Sequence, residues 1–238
     1  MTVSRNAICR CAFSALLIAA ALSLDAFAAP AGEVTHVSGA LMVRKADGSS
    51  KILAPQSKVD AGDLLATAGD TYARVKFADG GEVTLRPNTQ FRIESFVYDQ
   101  ATPAKDSALF NLIKGGLRTI TGAIGKRKPD TYQMRTTVAT IGIRGTNYGL
   151  LLCLNDCQNL RNNEGQVPHN GLHLDVAQGL ISVTNAGGER LLSIGQFGFV
   201  QDGTVPMAIV PPGQGVTNNT PSFQSGLSSG KNAECVVQ

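Results

Sequence analysis

Apolar and polar residues alternate along most of this chain. In "YARVKF" (72–77), Ala73, Val75 and Phe77 fall on one side and Tyr72, Arg74 and Lys76 on the other. "EVTLR" (82–86) puts Val83 and Leu85 on the apolar side, and "TQFRIE" (89–94) does the same with Phe91 and Ile93. A period of two predicts half-buried β-strands. Glycine turns punctuate these runs: "ADGS" (46–49), "ADGGE" (78–82) and "NAGGE" (185–189). Asp-Gly and Gly-Gly reach the positive φ angles that tight hairpins require. About fourteen strands are predicted between Glu33 and Val200. In "SALFNLIKGGLRTITGAIG" (107–125), Leu109, Leu112 and Ile113 could open a helix. Gly115-Gly116 would break it, so two strands are predicted.

Two stretches echo each other at an offset of 139 residues, "VSGALMVRKADGSSKIL" from Val37 and "VAQGLISVTNAGGERLL" from Val176. Leu41 matches Leu180, Met42 matches Ile181, and Ile52-Leu53 matches Leu191-Leu192. Each reads as a strand, a glycine turn and a return strand. The expected fold is therefore all-β, with stacked hairpins forming a β-solenoid or an elongated β-sandwich. The domain is expected over residues 33–200. Residues 201–238 are rich in Pro, Gly, Ser and Asn and lack apolar periodicity, which predicts a flexible tail with at most an edge strand at Val205–Val210.

The first 28 residues change the picture of where the chain works. Arg5 and Arg10 precede the apolar run Ala12–Leu24, and Ala26-Phe27-Ala28 supplies small residues for cleavage after Ala28. A secretory leader is expected, which makes the protein periplasmic or secreted; an uncleaved leader would instead anchor it in the inner membrane. The 21 basic and 18 acidic residues become 19 and 17 once Arg5, Arg10 and Asp25 leave with the leader. So small an excess argues against nucleic acid as a partner. Basic residues do cluster locally, and "GKRKPD" (125–130) reads either as a solvated turn or, through Lys126, Arg127 and Lys128, as a patch for an acidic partner.

Candidate chemistry is sparse. Cys153, Cys157, His169 and His173 follow a C-x3-C-x11-H-x3-H spacing, near that of a ββα zinc finger. Pro168 and Gly171 oppose the helix such a finger needs, and "GLHLDV" alternates as a strand. Export favours a Cys153–Cys157 disulfide, with free thiols or a non-finger metal site as the alternatives and Cys235 as an odd thiol. His36 lies on an alternating strand, and Asp60 and Asp63 at a turn, so neither suggests an acid–base site. No catalytic residue, metal or cofactor is expected. The glycines of "TTVATIGIRGTNYGL" (136–150) match neither a phosphate loop nor a dinucleotide fingerprint. This stretch reads as a buried strand, Val138–Ile143, a bend at Gly145 and a second strand, Tyr148–Leu154. Arg144, charged within such a run, should pin the corner through a carboxylate or carbonyl.

Taken together, "GEVTHVSGALMVRKADG", "VDAGDLLATAGDTYARVKFADGGEVTLRPNTQFRIE", "GLRTITGAIG", "TTVATIGIRGTNY" and "VAQGLISVTN" resemble the FecR-domain proteins of bacterial envelopes, from about Gly32 to Val200. The motif residues are Asp63 of the Gly-Asp pair and Gly142, Arg144, Gly145 and Thr146 of "ATIGIRGT". The resemblance implies an all-β, non-enzymatic domain. The family's namesake passes a signal from an outer-membrane receptor to a cytoplasmic sigma factor. The expected function is a periplasmic binding or scaffold module that contacts another envelope protein, such as an outer-membrane receptor or inner-membrane regulator. The alternatives are a membrane-anchored regulator sensing an envelope cue and a carbohydrate-binding protein.

Overall fold

The computed structural model describes residues 29–218, 220 and 221. The predicted leader, the end of the predicted tail and Cys235 lie outside the described residues.

The alternating runs form one mixed sheet of 15 strands. Three strands are long: β9 (Ser107–Ile120), β11 (Thr140–Cys153) and β12 (Gly171–Asn185). Each is bent at a glycine of positive φ, Gly115 (81°), Gly145 (60°) and Gly179 (81°). A residue with a Cβ is strained in that region by about 1–2 kcal/mol. At Gly179 space is short as well, because a Cβ there would stand 2.6 Å from the Gly145 carbonyl oxygen. The two bends are thus nested, and the sheet turns a corner along this line.

The corner divides the strands into two layers. On one side the order is β3 (Ser50–Leu53), β2 (Leu41–Arg44), β5 (Leu64–Thr67), β8 (Gln90–Val97), the first half of β9, β10 (Tyr132–Arg135), the first half of β11, the second half of β12, and β13 (Gly188–Ser193). This is layer A. Layer B runs β4 (Lys58–Val59), β1 (Gly32–Val37), β6 (Ala73–Phe77), β7 (Glu82–Leu85), the second halves of β9 and β11, the first half of β12, β14 (Phe197–Val200) and β15 (Ala208–Val210). Among the described residues, only β9 and β10 run parallel. The inward faces share one apolar core. Phe77 of layer B lies 5.3 Å from the Phe96 ring and 4.9 Å from the Phe110 ring of layer A. Tyr132 and Tyr148, one from each layer, are buried with their hydroxyls 3.3 Å apart.

The all-β expectation holds, and four local expectations change. Residues 107–120 form one bent strand rather than two, because Gly115 turns the backbone without interrupting the ladder. Likewise β11 is continuous through Gly145, with bulges between Arg144 and Tyr148. A short helix, α1 (Ala123–Arg127), takes part of the predicted charged turn. The domain does not end at Val200. β15 pairs with β14, and Met207, Val216 and Asn218 are buried. Composition missed this because the segment is held by single buried residues rather than by an apolar period.

The two echo hairpins are real and mark the two edges of layer A, β2–β3 at one and β12–β13 at the other. Their phase differs from the sequence match. Leu41 faces inward opposite Leu53, whereas in the second hairpin Ile181 faces inward opposite Leu192. The return strands keep the offset of 139, and the outgoing strands are displaced by one residue because the second turn is shorter.

Candidate functional site

Between β10 and β13 the outer face of layer A is concave. Its floor is Thr140 and Gly142 of β11 and Ser182 and Thr184 of β12, all small. A Cβ on Gly142 would stand 2.7 Å from Ser182 Oγ, so glycine keeps the floor low. Walls rise from Asp130 and Gln133 on one side and from Glu189 and Leu191 of β13 on the other, enclosing about 330 Å³. Arg144 stands at one end of this groove. Its side chain is exposed and makes no hydrogen bond or ion pair among the described residues. Arg144 therefore does not pin the corner. That work falls to backbone: Thr121 N–H donates to the Thr146 carbonyl at 3.0 Å, and Thr146 N–H donates to Thr121 Oγ1 at 2.9 Å. Thr146 is buried beneath the bend, and Gly145 meets open space on the outside.

Behind the corner, layer B holds a buried polar cluster that no local pattern announced. Arg118 of β9 pairs with Asp175 of β12, donates Nη1–H to Asn147 Oδ1 at 2.9 Å, and donates Nε–H to the Asn218 backbone oxygen at 2.9 Å. Asn218, fully buried, returns its backbone N–H and its side-chain amide to Asp175 Oδ1, both at 3.1 Å. Arg86, just after β7, donates to Asn218 Oδ1 at 3.1 Å. Burial lowers the Arg86 pKa, and the negative charge of Asp175 opposes that effect. Gly149 makes room, since a Cβ there would fall 2.3 Å from Asp175 Oδ1. The partners lie 29 to 132 residues apart in sequence, so only the fold could reveal them.

Cys153 and Cys157 are joined as a disulfide closing "CLNDC". With Leu151 and Val216 they form a small second apolar cluster, which seats the chain just before Asn218. His173 is buried, faces Phe199 at 4.8 Å and has Nε2 2.8 Å from the His169 backbone oxygen. Burial lowers its pKa. Cys153, Cys157 and His173 thus have other partners, and the four residues of the finger-like spacing do not converge as ligands.

The basic segment is partly spent on the fold. Arg127 ion-pairs with the fully buried carboxylate of Asp106 at 2.7 Å and lies 5.1 Å over the Tyr98 ring. Lys128 Nζ donates to the Ala104 carbonyl at 2.7 Å. Lys126 alone of the three has no polar partner among the described residues. Reversing all three charges would damage the domain before it tested a docking patch. Asp63 has a turn role: it is buried, accepts Asp60 N–H at 2.8 Å, and shares Lys45 with Asp60 at 2.7 Å each. Burial works against the Lys45 ammonium, but these hydrogen bonds outweigh it and raise its pKa.

A family model described as FecR protein matches residues 63–168. That span runs from the Asp63 turn through the whole of β11. Two crystal structures of a candidate anti-sigma factor from Parabacteroides distasonis are similar in fold at 14% identity, with TM-scores of 0.46 and 0.47. Each covers 62% of this chain, and this chain spans 58% of each. A cell surface anchoring domain, 21% identical, covers 26% of this chain and 83% of its own length at a TM-score of 0.26. No curated protein matches.

Proposed function

The chain carries a FecR-family domain, and from that premise we propose that it is a non-enzymatic module of the signalling-regulator type. It is exported by its N-terminal leader and acts by contacting another protein of the bacterial envelope. The observation that carries this reading is the family match, which covers β5, β8, β9, β10 and β11, the middle strands of layer A. Two features support it. The groove beside Arg144 is open, polar and shallow, with small hydroxyl-bearing residues on its floor, which suits recognition better than enclosed chemistry. Layer A also ends in two free edges, β3 and β13, where a partner strand could add.

The test is in-cell crosslinking of the tagged protein, with captured partners identified by mass spectrometry. Specific capture of an outer-membrane receptor or an inner-membrane regulator is expected. Capture of cell-wall material alone would narrow the reading to a structural adaptor, and no specific envelope partner would overturn it. Intact mass of the purified protein checks export, the expected mature chain starting at Ala29.

A further inference from the structure

The strand registers of layer A place three arginines on one line. On its outer face, Arg44 of β2 sits opposite Leu64 of β5, Leu64 opposite Arg92 of β8, Arg92 opposite Asn111 of β9, and Asn111 opposite Arg135 of β10. Every member of this row points outward, because its neighbours along the strand, Val43, Leu65, Phe91, Ile93 and Met134 among them, are buried in the core. Strands lie about 4.8 Å apart, so the guanidinium-bearing positions repeat every two strands, at about 9.5 Å. Arg44 and Arg92 have no hydrogen bond or ion pair among the described residues. Arg135 is only loosely held, 3.8 Å from Glu94 and 3.3 Å from Gln133. Beyond Arg135 the row enters the groove, where Arg144 adds a further unpaired cation.

Leaving unpaired arginines on one face has no folding benefit, and a flexible guanidinium is the side chain best suited to gripping carboxylates. The carboxylates that share the face do not cancel the row. Glu94 already accepts the Asn111 amide at 3.0 Å, while Asp130 and Glu189 stand at the groove walls. Between and beside the arginines lie aliphatic contacts: Leu64, then Met42 and Ile52, which are 50% and 73% exposed. The outward positions of the row and of the groove floor carry no aromatic ring on which a sugar could stack. Such a surface fits a polypeptide.

We propose that the outer face of layer A binds an extended acidic segment of the partner protein, laid across the strands, with a carboxylate at every third residue. In a polyproline-II conformation, which repeats every three residues at about 3.1 Å each, such carboxylates fall on one side about 9.3 Å apart, matching the arginine spacing. A second copy of this chain is a poor occupant. Its matching edges each present a basic residue, Lys51 on β3 and Arg190 on β13, which would oppose like charge.

This inference rests on the interaction-module reading and is tested apart from it. The probe is a fluorescein-labelled peptide of four Glu-Pro-Ala repeats, followed by fluorescence anisotropy against the mature protein. A control peptide has the same composition with its glutamates consecutive. The phased peptide should bind about fivefold more tightly than the control, and Arg44→Glu and Arg92→Glu should each weaken it by about fivefold or more. Lys76→Glu, the same charge change on the outer face of layer B, should leave binding unchanged. Thermal melts of the Arg44→Glu and Arg92→Glu proteins should coincide with that of the parent, since these side chains are outward and make no hydrogen bond or ion pair among the described residues. Equal binding of the two peptides, or no loss in the arginine variants, overturns the proposal. Tighter binding of heparin, indifferent to glutamate phase, assigns the face to an anionic polysaccharide and also overturns it. If crosslinking captures the same envelope partner with the Arg44→Glu and Arg92→Glu protein, the module reading stands and the arginine row alone fails.

Discussion

Two groups of arginines divide this molecule. On the layer B side, Arg118 and Arg86 sit around Asp175 and Asn218, desolvated and satisfied. On the outer face of layer A, Arg44 and Arg144 are exposed and Arg92 is half-buried, and none of the three touches an acid among the described residues. The first group ties the chain after β15 to β7, β9 and β12. The second group is left to the outside. A guanidinium bonded to buried partners belongs to the fold, whereas one with no such bond leaves the fold indifferent and is available to a partner. The basic segment lies between these limits, with Arg127 spent on Asp106 and Lys126 free.

Breaking the buried group should show the largest effect. Asp175→Asn keeps the shape but removes the charge opposite Arg118, whose side chain is only 15% exposed. Urea unfolding should show a loss of about 3 kcal/mol. A loss below about 1 kcal/mol would mean that the cluster is not what holds the segment ending at Asn218.

Alkaline pH probes the interior between the layers. Burial pushes Tyr132 up to about 12 and Tyr148 well above its ordinary value. In the unfolded chain both ionise near pH 10, while the folded protein keeps them neutral. Stability is therefore complete below pH 10 and falls as pH rises towards 12. One tyrosine shifted this far accounts for about 2–3 kcal/mol. Lys45, also raised, is lost in the same direction. Thermal melts from pH 8 to about 12, with tyrosinate absorbance in parallel, should show ionisation and unfolding together. Early ionisation in the native state would contradict the buried pair.

Arg127→Ala should cost about 2 kcal/mol by urea unfolding, because Asp106 is buried and would lose its ion-pair partner. Lys126→Ala should be silent in the same assay. Equal effects at the two positions would erase the distinction drawn within the basic segment. The smallest effects belong to the outer face: Arg44→Ala, Arg92→Ala and Arg144→Ala should each change stability by no more than about 0.5 kcal/mol. A larger loss at Arg144 would restore it as a structural pin.

The sequence by itself determined the strands, the hairpin turns and the resemblance to FecR domains. Their signals are local: a period of two, Asp-Gly and Gly-Gly turns, and a run of motifs read in order. It marked the echo hairpins and the bend at Gly145, because a glycine in a β-branched run has a backbone reason to be there. Only the tertiary structure decided the rest. That Gly115, Gly145 and Gly179 form one corner depends on strand register, which is set by pairing between distant segments. Arg144 looked like a pin because a charge in an apolar run usually needs a partner, yet alternation carries its side chain outward at the bulge. Asn218 sits in a stretch whose composition reads as tail, and it is ordered because Asp175 of β12, Arg118 of β9 and Arg86, just after β7, converge on it. The arginine row is equally invisible along the chain. Arg44, Arg92 and Arg135 are far apart in sequence and become neighbours only when registered strands set them on one line.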